Sequence, residues 1–216
     1  MKYIVGIGYA NRLDLLHQAI NSIPAYWPHT IVVDNSDNQD LRNEHDLQGK
    51  VQVFEPPVPL SVTQMFNYLL KRGMQEGCDA VLFMHNDAEA HPGTPERFIG
   101  ILEDWQAKGE RWGVALTQYD ILCAFNLNAV REVGLWDTVM PNFFSDCEYH
   151  RRMQMAGYSV PWTHLPVTHH GGQTTKSDPY RTRVYRSAIK IHHDYYVAKW
   201  GGTTGKEVYA TPFNQG

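Results

Sequence analysis

Apolar residues fall along this chain in two alternating rhythms. Short, nearly unbroken runs at Tyr3–Ile7, Thr30–Val33, Val51–Phe54 and Ala80–Met84 have the length and side-chain type of buried strands. Between them lie longer segments in which apolar side chains recur every three to four positions. Leu13, Leu16, Ala19, Ile20 and Ile23 mark one face of a helix that Asn11 is placed to cap and Pro24 to end. Val62, Met65, Phe66, Leu69 and Leu70 mark a second helix, opened by a Ser61/Gln64 capping-box pattern and closed by Gly77. The order β-α-β-β-α-β predicts a mostly parallel sheet with helices on its faces.

Beyond Met84 the texture changes. Thr94 and Pro95 form an N-cap and first-turn pair for a helix that turns Phe98, Ile101, Leu102 and Trp105 inward and stops at Gly109. Gly113–Leu116 and Ile121–Phe125 read as strands of antiparallel character, and Pro141–Ser145 as a loop. A helix starts at Asp146, with Tyr149, Met153 and Ala156 on one side, and ends at Gly157. Val160–Val167 reads as extended, and residues 168–172 as a polar, glycine-rich loop. A last long helix follows Ser177-Asp178-Pro179, with Tyr185, Ala188, Ile189, His192 and Tyr196 along one face and Gly201-Gly202 behind it.

Composition narrows the function classes. A formal charge of −4 over 216 residues provides no global field for nucleic acid or an anionic membrane. Lys176, Arg181, Arg183, Arg186 and Lys190 give the last helix a basic region, but Asp178 and Asp194 dilute it, and a solvated face accounts for it. Cys78, Cys123 and Cys147 are scattered and odd in number, which argues against a disulfide framework or a thiolate zinc site and suits a reducing compartment. No apolar run reaches the roughly 18 residues that a membrane span needs, and the N-terminal run is too short for a signal peptide. A soluble, cytoplasmic protein is expected.

The chemistry concentrates where the fourth apolar run breaks into His85-Asn86-Asp87. A carboxylate there sits at the rim of a sheet, where open α/β sheets bind ligands. Asp34, after the second run, is placed likewise. Three site types fit such a rim. Gly6-Ile7-Gly8 with Asp34 imitates a dinucleotide fingerprint, although Asn11 stands at its third glycine. His85, Asp87, Glu89 and His91 alternate as ligands on one strand face would, and with His169, His170, His192 and His193 would supply a binuclear hydrolase. Pro92 and Thr94 cut that strand short, however, and His192 lies on an apolar helix face. The third is nucleotide-sugar transfer. A diphosphate needs a divalent cation, and Mg²⁺ or Mn²⁺ prefers carboxylate oxygens with room for an imidazole. A second carboxylate must then take the acceptor proton, and Asp146 is placed for that. Asn67, on the polar side of its helix, could reach the diphosphate or sugar, and Trp136 could stack on a sugar face.

Several segments, in order, carry a likeness. They are Gly8-Tyr9-Ala10-Asn11-Arg12-Leu13, Ile31 to Ser36, Phe83 to Asp87, Phe143 to Tyr149 with Arg152 and Ala156-Gly157-Tyr158, and Val167 to Gly172, with Lys199-Trp200-Gly201 near the end. Together they resemble the family 2 type of glycosyltransferases with the GT-A fold. Asp87 matches the last acid of that family's DxD motif, with His85 in place of the first. Ser145 and Glu148 depart from its Glu-Asp-x-Asp pattern, while Asp146 matches the catalytic base.

The resemblance implies an α/β GT-A (nucleotide-diphospho-sugar transferase) fold, a mostly parallel central sheet flanked by helices with a smaller acceptor-side sheet and helix portion. Residues 1–110 would bind the nucleotide-sugar, and residues 111–216 would hold the acceptor and catalytic groups of the same domain. It implies a metal-dependent, inverting transfer from a nucleotide-diphosphate donor, most simply of the UDP type. Asp146 would be the base, and Asp87 with His169 would bind Mn²⁺ or Mg²⁺, His170 being the weaker choice. Tyr9, Asn11, Asp34, Asn67 and Asn86 would line the donor, and Glu148 and Trp136 the acceptor. The acceptor would be a surface-glycan hydroxyl in preference to a modified DNA base. The other class consistent with these residues is a non-catalytic nucleotide- or carbohydrate-binding module.

Overall fold

The computed structural model describes residues 1–215, with Thr174, Thr175 and Arg181 described through their backbone alone. In chain order the elements are β1 (Tyr3–Tyr9), α1 (Leu13–Asn21), β2 (Thr30–Asp34), β3 (Gln52–Phe54), α2 (Val62–Gln75), β4 (Ala80–Met84), β5 (Ala88–Ala90), α3 (Thr94–Ala107), β6 (Val114–Thr117), β7 (Tyr119–Asn126), α4 (Leu127–Val133), α5 (Ser145–Met155), β8 (Val167–His169), α6 (Gln173–Lys176) and α7 (Pro179–Trp200). Six strands form one sheet in the order β3-β2-β1-β4-β7-β6. The first four run parallel, and β7 and β6 are antiparallel to their neighbours. The chain leaves β1 toward β2 on one side and returns to β4 on the other. The crevice beyond the carboxyl ends of β1 and β4 is therefore the topological switch point.

Period-two alternation sorts the core into two layers. Val5, Ile7, Leu82 and Met84 pack with Leu16, Ile20, Phe98 and Leu102 of α1 and α3. Ile4, Val81 and Phe83 face the other way, onto Met65, Leu69 and Leu70 of α2 and Val130, Tyr149 and Met153 of α4 and α5. The glycines of β1 belong to this second layer. A Cβ at Gly6 would lie 2.4 Å from Leu69 Cδ1, and one at Gly8 would lie 2.5 Å from Met65 Sδ. The Gly-x-Gly pattern thus serves the close approach of α2 to β1. With β7 antiparallel where a dinucleotide fold needs a parallel strand, that expectation is set aside.

Helix ends depart from two expectations. The capping box of α2 forms, Ser61 accepting from Gln64 N and Gln64 from Ser61 N. Asn11, in contrast, does not cap α1: Arg12 holds the N-cap in the left-handed region at φ 64°. Thr94 does not cap α3 either. Gly93 does, at φ 79°, and the Thr94 hydroxyl donates to Pro166 O. Short β5 pairs antiparallel with β8, Ala88 opposite His169, in a separate two-stranded sheet. Sequence periodicity missed β5 and α4, and placed the β8 residues in a loop and an extended run. Among the described residues no helix is long and apolar enough to cross a membrane.

Candidate active site

A cleft of about 890 Å³ opens at the switch point. Its floor is formed by Gly8–Ala10 at the end of β1 and Met84–Asp87 at the end of β4, and its walls by residues 59–62, residues 142–147 at the start of α5 and the near face of α7.

His85, Asp87 and His169 meet on the floor, with their potential ligand atoms all within 4.8 Å of one another. His169 Nε2 stands 3.2 Å from Asp87 Oδ1, and His85 Nδ1 stands 3.9 Å from the same oxygen. Asp87 is 3% exposed, so its charge is held out of water and needs a partner. Its other oxygen, Oδ2, accepts from Gln173 N at 3.0 Å. The backbone holds the group in place. His85 N donates to Ile121 O, His170 N donates to Asp87 O, and the β5–β8 pairing sets His169 opposite Ala88. One carboxylate and two imidazoles that converge on one side of a cleft suit a divalent ion. His170 points away, with Nε2 at 3.7 Å from Glu89. Glu89 is exposed, His91 bonds Thr168 Oγ1, and His192 and His193 lie beside Phe143 and Phe144. None of these joins the trio, which rules out the proposed hydrolase ligand set.

Asp34 does not line the cleft. It is 2% exposed, and its carboxylate accepts from Ser36 N (3.0 Å), Ser36 Oγ (2.5 Å) and Leu41 N (3.0 Å). These bonds fold the 34–41 loop and consume the acid. The loop instead delivers Asn35 and Asp37 to the cleft, neither of which was singled out from sequence. Asn35 is pinned by its N donating to Tyr9 O and by its Oδ1 accepting from Leu60 N. Tyr9 and Asn86 line the cleft, whereas Asn11 does not. The Asn11 carbonyl instead accepts from Asn86 Nδ2 at 3.4 Å. Burial pushes the Tyr9 phenol up to about 12, so it stays a neutral hydroxyl.

Asn67 also falls outside the cleft. Its amide is spent on the backbone of Trp136, donating to Trp136 O at 3.0 Å and accepting from Trp136 N at 2.8 Å. Trp136 reaches the cleft by an edge, because its two faces stack on Phe66 (4.6 Å, 11°) and Tyr149 (4.7 Å, 6°). Neither face is free for a sugar. Glu148 is fully buried. It pairs with Arg152 through both oxygens, at 2.8 and 3.0 Å, and with Lys199 at 2.8 Å. Lys199 also meets Asp137 at 2.7 Å. An acceptor has no access to that network, so Glu148 is a structural acid.

Asp146, two residues earlier in α5, is half-buried and lines the cleft. Phe144, at φ 61°, holds the N-cap, so Asp146 is inside the first turn and does not cap. Asp120, at the start of β7, also lines the cleft. Its one sequence signal is a polar residue between two apolar runs. The charge of Asp146 is the main cause that raises the Tyr119 phenol, with burial second. One turn on, burial lowers the His150 imidazole, against the pull of Asp146 and Asp120. Cys147 is pushed up to about 11 by burial and then by Asp146, so it is a thiol and no nucleophile. Among the described residues lining the cleft are five aspartates, at 37, 87, 120, 146 and 178, and no lysine or arginine.

No sequence-family model matches the chain, and no curated protein matches it. Solved structures do. A mannosyltransferase from Pyrobaculum calidifontis, in complex with GDP-Man and Mn²⁺, is 14% identical with a TM-score of 0.62, over 94% of this chain and 65% of that one. TarS from S. aureus is 13% identical with a TM-score of 0.60, over 92% and 42%. GalNAc-T7 with UDP, GalNAc and Mn²⁺ is 12% identical with a TM-score of 0.60, over 92% and 50%. The chain thus spans between two-fifths and two-thirds of the length of these proteins. At such identities the likeness fixes the fold. It is an α/β fold whose mixed, largely parallel sheet is flanked by helices and matches their GT-A architecture.

Proposed function

We propose that this chain is a metal-dependent glycosyltransferase of the family 2 type, moving a sugar from a nucleotide diphosphate to a neutral hydroxyl acceptor. The observation that carries this is the charge of the cleft. Asp87, Asp120 and Asp146 line the cleft and no lysine or arginine does, so a pyrophosphate lying beside them calls for a cation between. His85, Asp87 and His169 are the residues that would hold one. When bound, a divalent ion there offsets the diphosphate charge and eases its departure. The Mn²⁺-bound structures of similar fold support this reading.

The chain's own groups divide the remaining work. Tyr9, Ala10, Asn35, Asp37 and residues 59–62 enclose the nucleoside side, in place of Asp34. Asn86 lines the floor between the nucleoside side and the cation trio. Asp146 Oδ takes the acceptor proton as the hydroxyl attacks, and the resemblance to family 2 makes this a single inverting displacement. Phe143 and Tyr185, edge to face at 5.4 Å, narrow the acceptor side and limit water. Residues 1–110 supply the donor side and residues 111–216 the acceptor side of one continuous sheet. The same acidic wall disfavours a nucleic-acid acceptor. The basic groove of Lys176, Arg183 and Arg186 lies outside the cleft, and the Arg181 side chain lies outside the described residues. Three free cysteines suit the reducing cytoplasm. A panel of UDP- and GDP-sugars with Mn²⁺, read by nucleoside diphosphate release, tests the assignment. Turnover by the wild type and a loss of about 10³-fold in Asp146→Asn supports it. Donor binding without release under every condition would make the protein a binding module instead.

A further inference from the structure

We infer that His85 selects the cation, making this a site for borderline transition ions such as Mn²⁺, Co²⁺ or Zn²⁺ that discriminates against Mg²⁺. The inference rests on the proposal that the His85–Asp87–His169 trio holds an ion. Its basis is the donor set. Mg²⁺ is hard, demands near-ideal octahedral geometry and prefers oxygen. Imidazole nitrogen suits first-row transition ions, whose affinity rises from Mn²⁺ toward Cu²⁺. Two of the three donor groups here are imidazoles.

Geometry supports His85 as a ligand and not a bystander. Two neighbouring donors on one ion at about 2.1 Å stand about 3 Å apart. His169 Nε2 and Asp87 Oδ1 are already at 3.2 Å. His85 Nδ1 is at 3.9 Å from that oxygen, so a small side-chain rotation completes the set. The rings of His85 and His169 meet edge to face at 5.2 Å and are not stacked, and a nitrogen of each lies within 4.8 Å of the other and of Asp87. Neither ring is buried: their side chains are 38% and 31% exposed, on the cleft side, whereas Asp87 is buried behind them. The backbone bond from His85 N to Ile121 O fixes the residue to the start of β7. A site on strand ends is rigid enough to express such a preference.

The test is isothermal titration of the full chain with each metal alone, joined to pulsed electron paramagnetic resonance of bound Mn²⁺. The wild type should bind Mn²⁺ at least about tenfold more tightly than Mg²⁺, and Co²⁺ or Zn²⁺ more tightly still. Its Mn²⁺ spectrum should carry nitrogen couplings from two imidazoles. His85→Asp should close the Mn²⁺/Mg²⁺ gap about tenfold and leave one imidazole coupling. His85→Asn, close to the histidine in size, should also lose one coupling, which guards against misfolding of the charged variant. Equal Mn²⁺ and Mg²⁺ affinity in the wild type, or two nitrogen couplings persisting in both variants, overturns the selection while leaving the transferase proposal intact. Absence of binding by every ion, alone and with UDP or GDP present, overturns both.

Discussion

Two parallel strands, β2 and β4 on either side of β1, end in or beside a buried aspartate, and the two acids do opposite things. Asp34 closes β2 at 2% exposure and Asp87 follows β4 at 3%. From sequence they are equivalent. In the fold, Asp34 is consumed by Ser36 and Leu41 and becomes the knot of its own loop. Asp87 keeps one oxygen facing two histidines on the cleft floor. The same contrast recurs two residues apart on α5, where Glu148 is locked between Arg152 and Lys199 and Asp146 lines the cleft. Burial does not separate a structural acid from a working one. What separates them is whether the surrounding donors leave an oxygen unspent.

The contrast predicts opposite phenotypes. Asp146→Asn should lower turnover about 10³-fold, the scale of a lost general base, with donor affinity and thermal midpoint nearly unchanged. Normal turnover in that variant would place the base elsewhere. Glu148→Gln should do the reverse. It leaves Arg152 and Lys199 short of a buried charge, and urea melts should show a loss of about 3 kcal/mol. Asp34→Ala strips the partners from buried backbone donors and should cost about 2 kcal/mol in the same melts, while turnover per folded molecule stays within about threefold. A large change in donor KM without a stability loss would return Asp34 to the site.

The smallest expected effect is on pH. Burial lowers the His150 and His192 imidazoles from their usual 6.5. The unfolded chain therefore takes up protons that the folded one refuses as pH falls below that value, and stability declines in acid. Above it these groups contribute no slope. Because Asp146 pulls His150 upward, Asp146→Asn should steepen the acid loss between pH 7.5 and 5.5. A flat urea midpoint across that range would contradict the cause assigned here.

Much of the frame was legible in the sequence because it is local. Period-two runs, the Ser61–Gln64 box and the loss of β/α alternation after Met84 each act within a few residues. The errors involve distant partners. Asn67 was assigned to a diphosphate because nothing near it reveals Trp136, 69 residues on. Trp136 looked free for a sugar because its stacking partners, Phe66 and Tyr149, come from two other helices. Glu148 needed Lys199 of α7 to disclose its role. Asp34 is the nearest miss. An Asp two residues before a serine is a known local turn pattern, and Leu41 N is only seven residues away.

The most direct test of the central claim is isothermal titration of UDP and GDP into the wild type and Asp87→Ala, each with Mn²⁺ and with EDTA. An acidic cleft that accepts a pyrophosphate only beside a cation predicts binding of at least one nucleotide by the wild type with Mn²⁺. It also predicts a loss of about tenfold or more in EDTA, and no Mn²⁺ response in the variant. Equal affinity in Mn²⁺ and EDTA, or full Mn²⁺-dependent binding by Asp87→Ala, would contradict it.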